Sequence, residues 1–412
     1  MNTKLEERQT SLFLKRSDRV GATRRRPRRW IPLLLTLILV VPTVISYGGA
    51  LSAPGTDSFG IRSTEWLRSH HFRWLVNDVE NFYYSHHQPK KGGAPTGLLA
   101  QQIAGADHVV KPSGSLSQLS VGPLRLPLST NLPPPSPIAP IASDPIAGEG
   151  QWQPLGQPVN GHPAMYATYL RPDAVHTSLV TAVAWIDTKT VKAVGYAGVQ
   201  EPGGGPWTNE VPIPDAVRPQ LLAAFNSGFK MQDAQGGYYA DGRYARPLRD
   251  GAATVWIDTN GVLNVGQWGR DVQMTGAIAF ARQNLSLIVD HSQPVPDVAT
   301  GDSAKWGQTV NRNVLVWRSG LGVTADGAAV YVGGPGLSAL TLAQVLTRAG
   351  AVRAMELDIN SAWVDYFTYG PAAPGHAPSD LTVTKLLANM VPSTSNYLAA
   401  NSRDSITLFR RS

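Results

Sequence analysis

Apolar and polar positions divide the chain into stretches with different periods. Trp30 to Tyr47, WIPLLLTLILVVPTVISY, contains no charged residue, and its length matches what a helix needs to cross a bilayer. Over residues 61–84 the apolar positions Trp66, Leu67, Trp74, Leu75, Val79 and Phe82 recur at helical spacing, with Ser63 or Thr64 as cap. This pattern predicts a juxtamembrane amphipathic helix. Residues 88–150 lose periodicity and fill with Pro, Gly and Ser, most densely in NLPPPSPIAPIASDP, Asn131 to Pro145. Such a composition favours an extended linker, holding the next domain away from the membrane or lying along its surface.

From residue 151 to 412 the pattern turns to strands. SLVTAVAWIDTKTVKAVGYAG holds two β-rich runs around Asp187-Thr188-Lys189. AATVWIDTNGVLNVGQW reads as a hairpin turning at Asn260-Gly261, and LGVTADGAAVYVGG turns at Asp326-Gly327. One helix is clear, TLAQVLTRAG, with Thr341 as its expected cap and Gly350 as its stop. The expected fold class is α+β, antiparallel-rich mixed sheets with few helices, preceded by an N-terminal transmembrane helix and a Pro-rich linker.

One strand pattern raises a question of chemistry. In MELDINSAWVDYF, Met355 to Phe367, alternation puts Met355, Leu357 and Ile359 on one face and Glu356, Asp358 and Asn360 on the other. A solvated face needs polarity but not carboxylates, and Asp and Asn are poor strand residues. The two readings are a half-exposed strand and a face turned to a ligand.

Charge narrows the partners. The formal net charge is +7, and residues 1–29 hold ten Lys or Arg against Glu6, Glu7 and Asp18, which accounts for all of it. The remainder is neutral, so a nucleic-acid footprint on the folded domain is not expected. Arginines before the apolar run place residues 1–29 in the cytoplasm as a basic tail and the C-terminal domain outside it, on a single-pass anchor over 30–47. The competing reading is a secreted chain cleaved after a signal peptide at GGALSA, Gly48 to Ala53. The absence of Cys excludes disulfides, thiolate metal sites and a Cys nucleophile. His70, His71, His86 and His87 lack a further ligand at metal spacing, and no cofactor is expected.

Three segments share the form of an apolar strand ending in a polar cluster. LLAAFNSGFK delivers Asn226, Ser227, Gly228 and Lys230; VLVWRSGLG delivers Arg318 and Ser319 before Gly320 and Gly322; the third is the stretch at Met355. Rigid elements opening into loops are where binding groups gather. A guanidinium at a strand end can fork onto a phosphate, or pair with Glu356 or Asp358. The chain lacks a Gly-x-Ser-x-Gly elbow, a P-loop and a His-Glu-x-x-His motif.

Taken together, Asn226-Ser-Gly-Phe229, Arg318-Ser-Gly-Leu-Gly322 and Leu357-Asp-Ile-Asn-Ser361 resemble the phosphodiester glycosidase family in order and spacing over Leu221 to Phe367. Ile359-Asn360-Ser361 and Trp363 stand where that family keeps a glycine run and small hydroxyl residues. The resemblance implies a hydrolase that cleaves a sugar-1-phosphodiester, which with the anchor read from residues 30–47 would be membrane-anchored and extracytoplasmic, acting in a cell-envelope or exported glycan. Asn226, Arg318 and Asp358 match the family positions; Glu356 and Asn360 rest on the strand-face argument. On this reading Asp358 or Glu356 acts at the sugar, Arg318 and Lys230 hold the phosphate, and Asn226 and Asn360 orient the substrate. Gly228 and Ser319 complete the expected binding set. The partners expected are the bilayer and a carbohydrate or sugar-phosphate substrate. The alternative is a non-catalytic tethered module that binds a glycan or phosphopolymer, with Trp306, Trp317 and Trp363 stacking on sugar rings.

Overall fold

The computed structural model describes residues 30–104, 131–300, 305–307 and 315–411. The basic tail expected over 1–29 and residues 105–130 of the linker lie outside them. Two units form, one ending at Ser52 and one running from Ala53 to Ser412. The first contains the helix Trp30–Ser52, of 23 residues, with Pro42 inside it. Its side chains are described at residue 38 and from residue 40 onward. Among the described residues no helix is long and apolar enough to cross a membrane.

In the second unit every strand-to-strand ladder is antiparallel, and helices are few, as an α+β domain requires. An eight-stranded sheet has at its middle Thr181–Ile186, Ala329–Leu337, Val316–Thr324 and Ala351–Glu356, in that order. One five-stranded sheet is ordered Leu381–Lys385, Tyr366–Ala372, Leu221–Asn226, Ser405–Arg410, Val191–Tyr196. A second five-stranded sheet contains the hairpin Ala253–Asp258 with Leu263–Gln267, which turns at Gly261 with φ 77°, a conformation glycine adopts without steric cost. Val316–Thr324 and Ala329–Leu337 form the other expected hairpin.

The two β-rich runs around Asp187 do not pair with each other. Thr181–Ile186 stays in the eight-stranded sheet, whereas Val191–Tyr196 crosses to the five-stranded sheet beside Ser405–Arg410. The Asp187 carboxylate holds this corner, accepting from Lys189 N at 2.9 Å and from Leu132 N at 3.1 Å. Leu132 belongs to the Pro-rich segment, which from Asn131 onward lies along the domain. Leu132, Ile138 and Ala142 are buried there, and Arg171 joins it through Glu149 at 2.9 Å and Asp144 at 3.2 Å.

The helix Ala339–Arg348 begins before the expected cap, because Ser338 Oγ, and not Thr341, takes the first orphan N–H, that of Thr341 at 2.9 Å. Leu342, Val345 and Leu346 are buried against the eight-stranded sheet. A Cβ on Gly320 would stand 2.9 Å from Leu346 Cδ1, so glycine lets this helix lie close to the strand. Residues 61–84 fall on two helices, Phe59–Ser69 and Arg73–His86. The break comes at His71, in the left-handed region with φ 69°, and the first helix is capped by Ser58, upstream of Ser63 and Thr64. Beneath the strand ends, Phe225 stacks parallel on Tyr366 at 5.4 Å, and Tyr331 closes on both rings at 5.2 and 5.1 Å. Such ring pairs contribute about 0.5–1.5 kcal/mol each beyond burial and give the polar residues above them a rigid floor.

Candidate active site

The strand Leu221–Asn226 is buried along its whole length between two neighbours of its sheet, and it ends on Asn226. Val316–Thr324 is an inner strand of the other sheet and brings Arg318 and Ser319 to the same level. Ala351–Glu356 ends at Glu356. The backbone then keeps its register for two more residues, Leu357 N donating to Ser319 O and Ser319 N to Asp358 O, both at 2.8 Å. Ser319 Oγ ties the three ends together, accepting from Asn226 Nδ2 at 3.0 Å and from Asp358 N at 3.2 Å. Asn226, Ser319 and Asp358 therefore form one corner where the two sheets meet.

The polar face predicted for Glu356 and Asp358 is not a solvated one, because both side chains are buried. Glu356 pairs with Arg318, whose Nε also donates to Leu337 O at 2.9 Å and whose Nη1 donates to Trp306 O at 3.4 Å. Of the guanidinium expected to fork onto a phosphate, Nε and Nη1 are thus held by the protein itself, and among the described residues no hydrogen bond falls on Nη2. Burial pushes the Glu356 carboxyl up to about 7, with Arg318 only partly opposing it.

Asp358 is held differently. Its Oδ1 accepts from Ile359 N at 2.8 Å and Asn360 N at 3.0 Å, while among the described residues no hydrogen bond falls on Oδ2. Burial pushes it up to about 6, against Arg403, these two N–H groups and Arg282. Asn360 is half-buried, and its side chain accepts from Ala362 N at 2.9 Å, closing the turn that replaces the glycine run. On the neighbouring loop, a Cβ on Gly228 would lie 3.2 Å from Arg282 Cζ, so the glycine admits that guanidinium. Arg282 in turn bonds Asp404 at 2.9 Å, Gln283 O at 2.6 Å and Phe229 O. Lys230 is half-buried and ion-paired with Glu65 of the helix Phe59–Ser69. Burial, helped by the nearby charge of Arg403, lowers its pKa to about 8.

Two further residues had no place in the sequence reading. Arg403 is buried with its guanidinium carbon 4.4 Å from the ring centre of Trp363. Its Nε and Nη1 have no hydrogen-bond partner among the described residues. Asp365 lies behind Asn226: its N donates to Asn226 Oδ1 at 3.4 Å, and its carboxylate accepts from Tyr397 Oη at 2.8 Å and Asn396 Nδ2 at 3.2 Å. Burial pushes Asp365 up to about 7. A signal for Arg403 and Asp404 exists in NSRDSITLF, where a polar cluster abuts an apolar run as in the other segments, but in the reverse order.

No family model and no curated protein matches the chain. Several solved structures resemble it at low similarity, three of them as follows. The zebrafish N-acetylglucosamine-1-phosphodiester alpha-N-acetylglucosaminidase catalytic domain, auto-inhibited by its pro-peptide, is 12% identical with TM-score 0.39, covering 64% of this chain and 88% of that one. A hypothetical protein from Synechocystis is 12% identical with TM-score 0.35, over 63% and 64% of the two chains. An exported protein from Burkholderia pseudomallei is 13% identical with TM-score 0.32, over 56% and 74%. At these scores the likenesses carry no argument about reaction or substrate.

The tryptophans proposed to stack on sugars are placed unfavourably for it. Trp306 and Trp363 are buried, and Trp363 lies beneath the Arg403 guanidinium. Trp317 is half-buried and packs against the main hydrophobic core. The chemistry of the corner is therefore a buried carboxylate within the field of Arg403 and Arg282, and not an aromatic platform.

Proposed function

We propose that the corner formed by Asn226, Ser319 and Asp358 hydrolyses a sugar-1-phosphodiester, as the resemblance of the three segments implies. The observation that supports it most is Asp358, a buried carboxylate with Oδ1 fixed by two N–H groups and Oδ2 bonded to nothing described. With its pKa near 6, the group is mostly ionised at neutral pH. It would stabilise positive charge developing at the anomeric carbon, either as nucleophile or as base for water. Ordinary glycosidases need a second carboxyl group to protonate the leaving alkoxide. A departing phosphomonoester, with a second pKa of about 6, leaves without that help, which fits a corner in which Glu356 is closed off by Arg318. The anomeric C–O bond breaks, water supplies hydroxide to the sugar, and the remaining proton passes to Asp358 and then to solvent.

The N-terminal part of the reading belongs to the same proposal. The helix Trp30–Ser52 and the arginines before it would anchor the domain outside the cytoplasm. The test is release of free sugar from synthetic sugar-1-phosphodiesters by the full-length chain. Turnover that disappears in Asp358→Asn, with folding retained, is the expected result. Absence of turnover across a varied panel, with glycan binding intact, would favour the non-catalytic module.

A further inference from the structure

The cations around Asp358 differ in what they can still bind. Arg318 gives Nε and Nη1 to Glu356 and two carbonyls, which leaves only Nη2. Arg282 is taken up by Asp404 and two carbonyls. Lys230 is paired with Glu65 alone, and Arg403 has two unpaired nitrogens. Arg403 is 7% exposed, yet its Nε and Nη1 lack any partner among the described residues. A buried donor left unpaired is costly, and the cost is removed when an oxyanion occupies the fork of Nε and a neighbouring Nη. Trp363 fixes the plane of that fork from one side.

We propose that Arg403 and Lys230 form an anion subsite for the phosphate group of the substrate, with Trp363 as its floor. The inference rests on the hydrolase reading of the cleft, and names the residues that would recognise its phosphoryl group in place of Arg318.

The protein's own carboxylates indicate that this place attracts anions. Glu65 of the helix Phe59–Ser69 ion-pairs with Lys230. Asp57, just before that helix, accepts from Ser402 Oγ at 3.2 Å and lies within the field of both Arg403 and Lys230. Of the other acidic groups nearby, Asp404 holds Arg282 and Ser227 through Oδ2 with its Oδ1 buried and unpaired, and Glu201 accepts from Met231 N at 3.1 Å. Asp358 lies within the field of both Arg403 and Lys230. A sugar phosphate would thus set its oxyanion on Arg403 and Lys230 and its sugar toward Asp358, displacing the Glu65 carboxylate.

Inorganic phosphate is the probe, titrated calorimetrically into the full-length chain near neutral pH. Binding to the wild-type chain should weaken roughly ten-fold or more in Arg403→Gln, the loss expected for a charge-assisted hydrogen bond. It should weaken by a smaller factor in Lys230→Gln and tighten in Glu65→Gln. Arg403→Lys keeps the charge but loses the fork, so it should fall between wild type and Arg403→Gln. If Arg403→Gln fails to fold, as its melting curve would show, Lys230→Gln and Glu65→Gln decide alone. Phosphate affinity unchanged in both, or no binding even to Glu65→Gln, overturns the subsite. The hydrolase reading fails separately. Phosphate binding lost with Arg403 but no sugar-1-phosphodiester turned over leaves the subsite standing. Conversely, turnover abolished in Asp358→Asn, with KM and phosphate affinity unmoved in Arg403→Gln, removes the subsite and keeps the hydrolase.

Discussion

Arg318 with Glu356, and Arg403 beside Asp358, combine the same two side-chain types within one small volume of the fold. In the first, the guanidinium reaches the carboxylate and two backbone carbonyls, and only Glu356 Oε2 is buried without a partner. In the second, the carboxylate is fixed by backbone N–H groups and the guanidinium by an indole ring. Each therefore keeps polar atoms to offer. A charge pair whose members bond each other holds two strands together, whereas charges held by neutral groups are left to act on a third group. Residue type and spacing do not separate these cases; the identity of the supporting partners does.

The sharpest way to break this contrast is Asp358→Asn. It preserves the acceptor for Ile359 N and Asn360 N and should leave the melting temperature nearly unchanged, while release of sugar from a phosphodiester falls by about 10² to 10⁴-fold. Arg318→Ala should do the opposite. It strands a buried Glu356 carboxylate and should lower unfolding free energy by about 3–5 kcal/mol, read from urea denaturation. A large loss of activity with full stability would show that Arg318 meets substrate after all.

Titration separates the two pairs next. Burial raises Glu356, Asp358 and Asp365 above the unfolded value of about 4. The folded state then holds these protons more tightly than the unfolded chain. Stability should accordingly fall as pH rises from about 4 toward 7, visible as a melting temperature higher near pH 5 than near pH 7.5. Asp365→Asn should flatten part of that slope. Turnover should run the other way, rising through about pH 6 as Asp358 ionises. The smallest effect serves as a control: Ser338→Ala removes a helix cap away from both pairs and should cost about 1 kcal/mol without changing turnover.

The alternation at Met355 to Asn360 correctly put Met355 and Leu357 in the core, and the three Gly-punctuated segments brought Asn226, Ser319 and Asp358 together. Those features are local, set by strand period and chain direction. What stayed hidden depends on distant partners. Nothing in VLVWRSG says that Leu337 and Trp306 carbonyls wait for Arg318, and nothing near Asp358 announces Arg403. The crossing at Asp187 was hidden for the same reason, since it is fastened by Leu132 from the Pro-rich segment. The break at His71 is a backbone event that the apolar spacing of residues 61–84 does not record.

The strand Ser405–Arg410 lies between Leu221–Asn226 and Val191–Tyr196, with Ser405 opposite Asn226, and Arg403 and Asp404 immediately precede it. In order of synthesis it follows every other element of the corner. A nascent chain that has not yet emerged as far as Arg403 has no neighbour on one side of the Asn226 strand and no cation over Trp363. Pairings between such distant segments form slowly, because a long loop must close before they contribute. The corner should therefore be completed in a late step, and translation pauses or refolding traps would leave a domain with most of its sheets and without Arg403 beside Asp358.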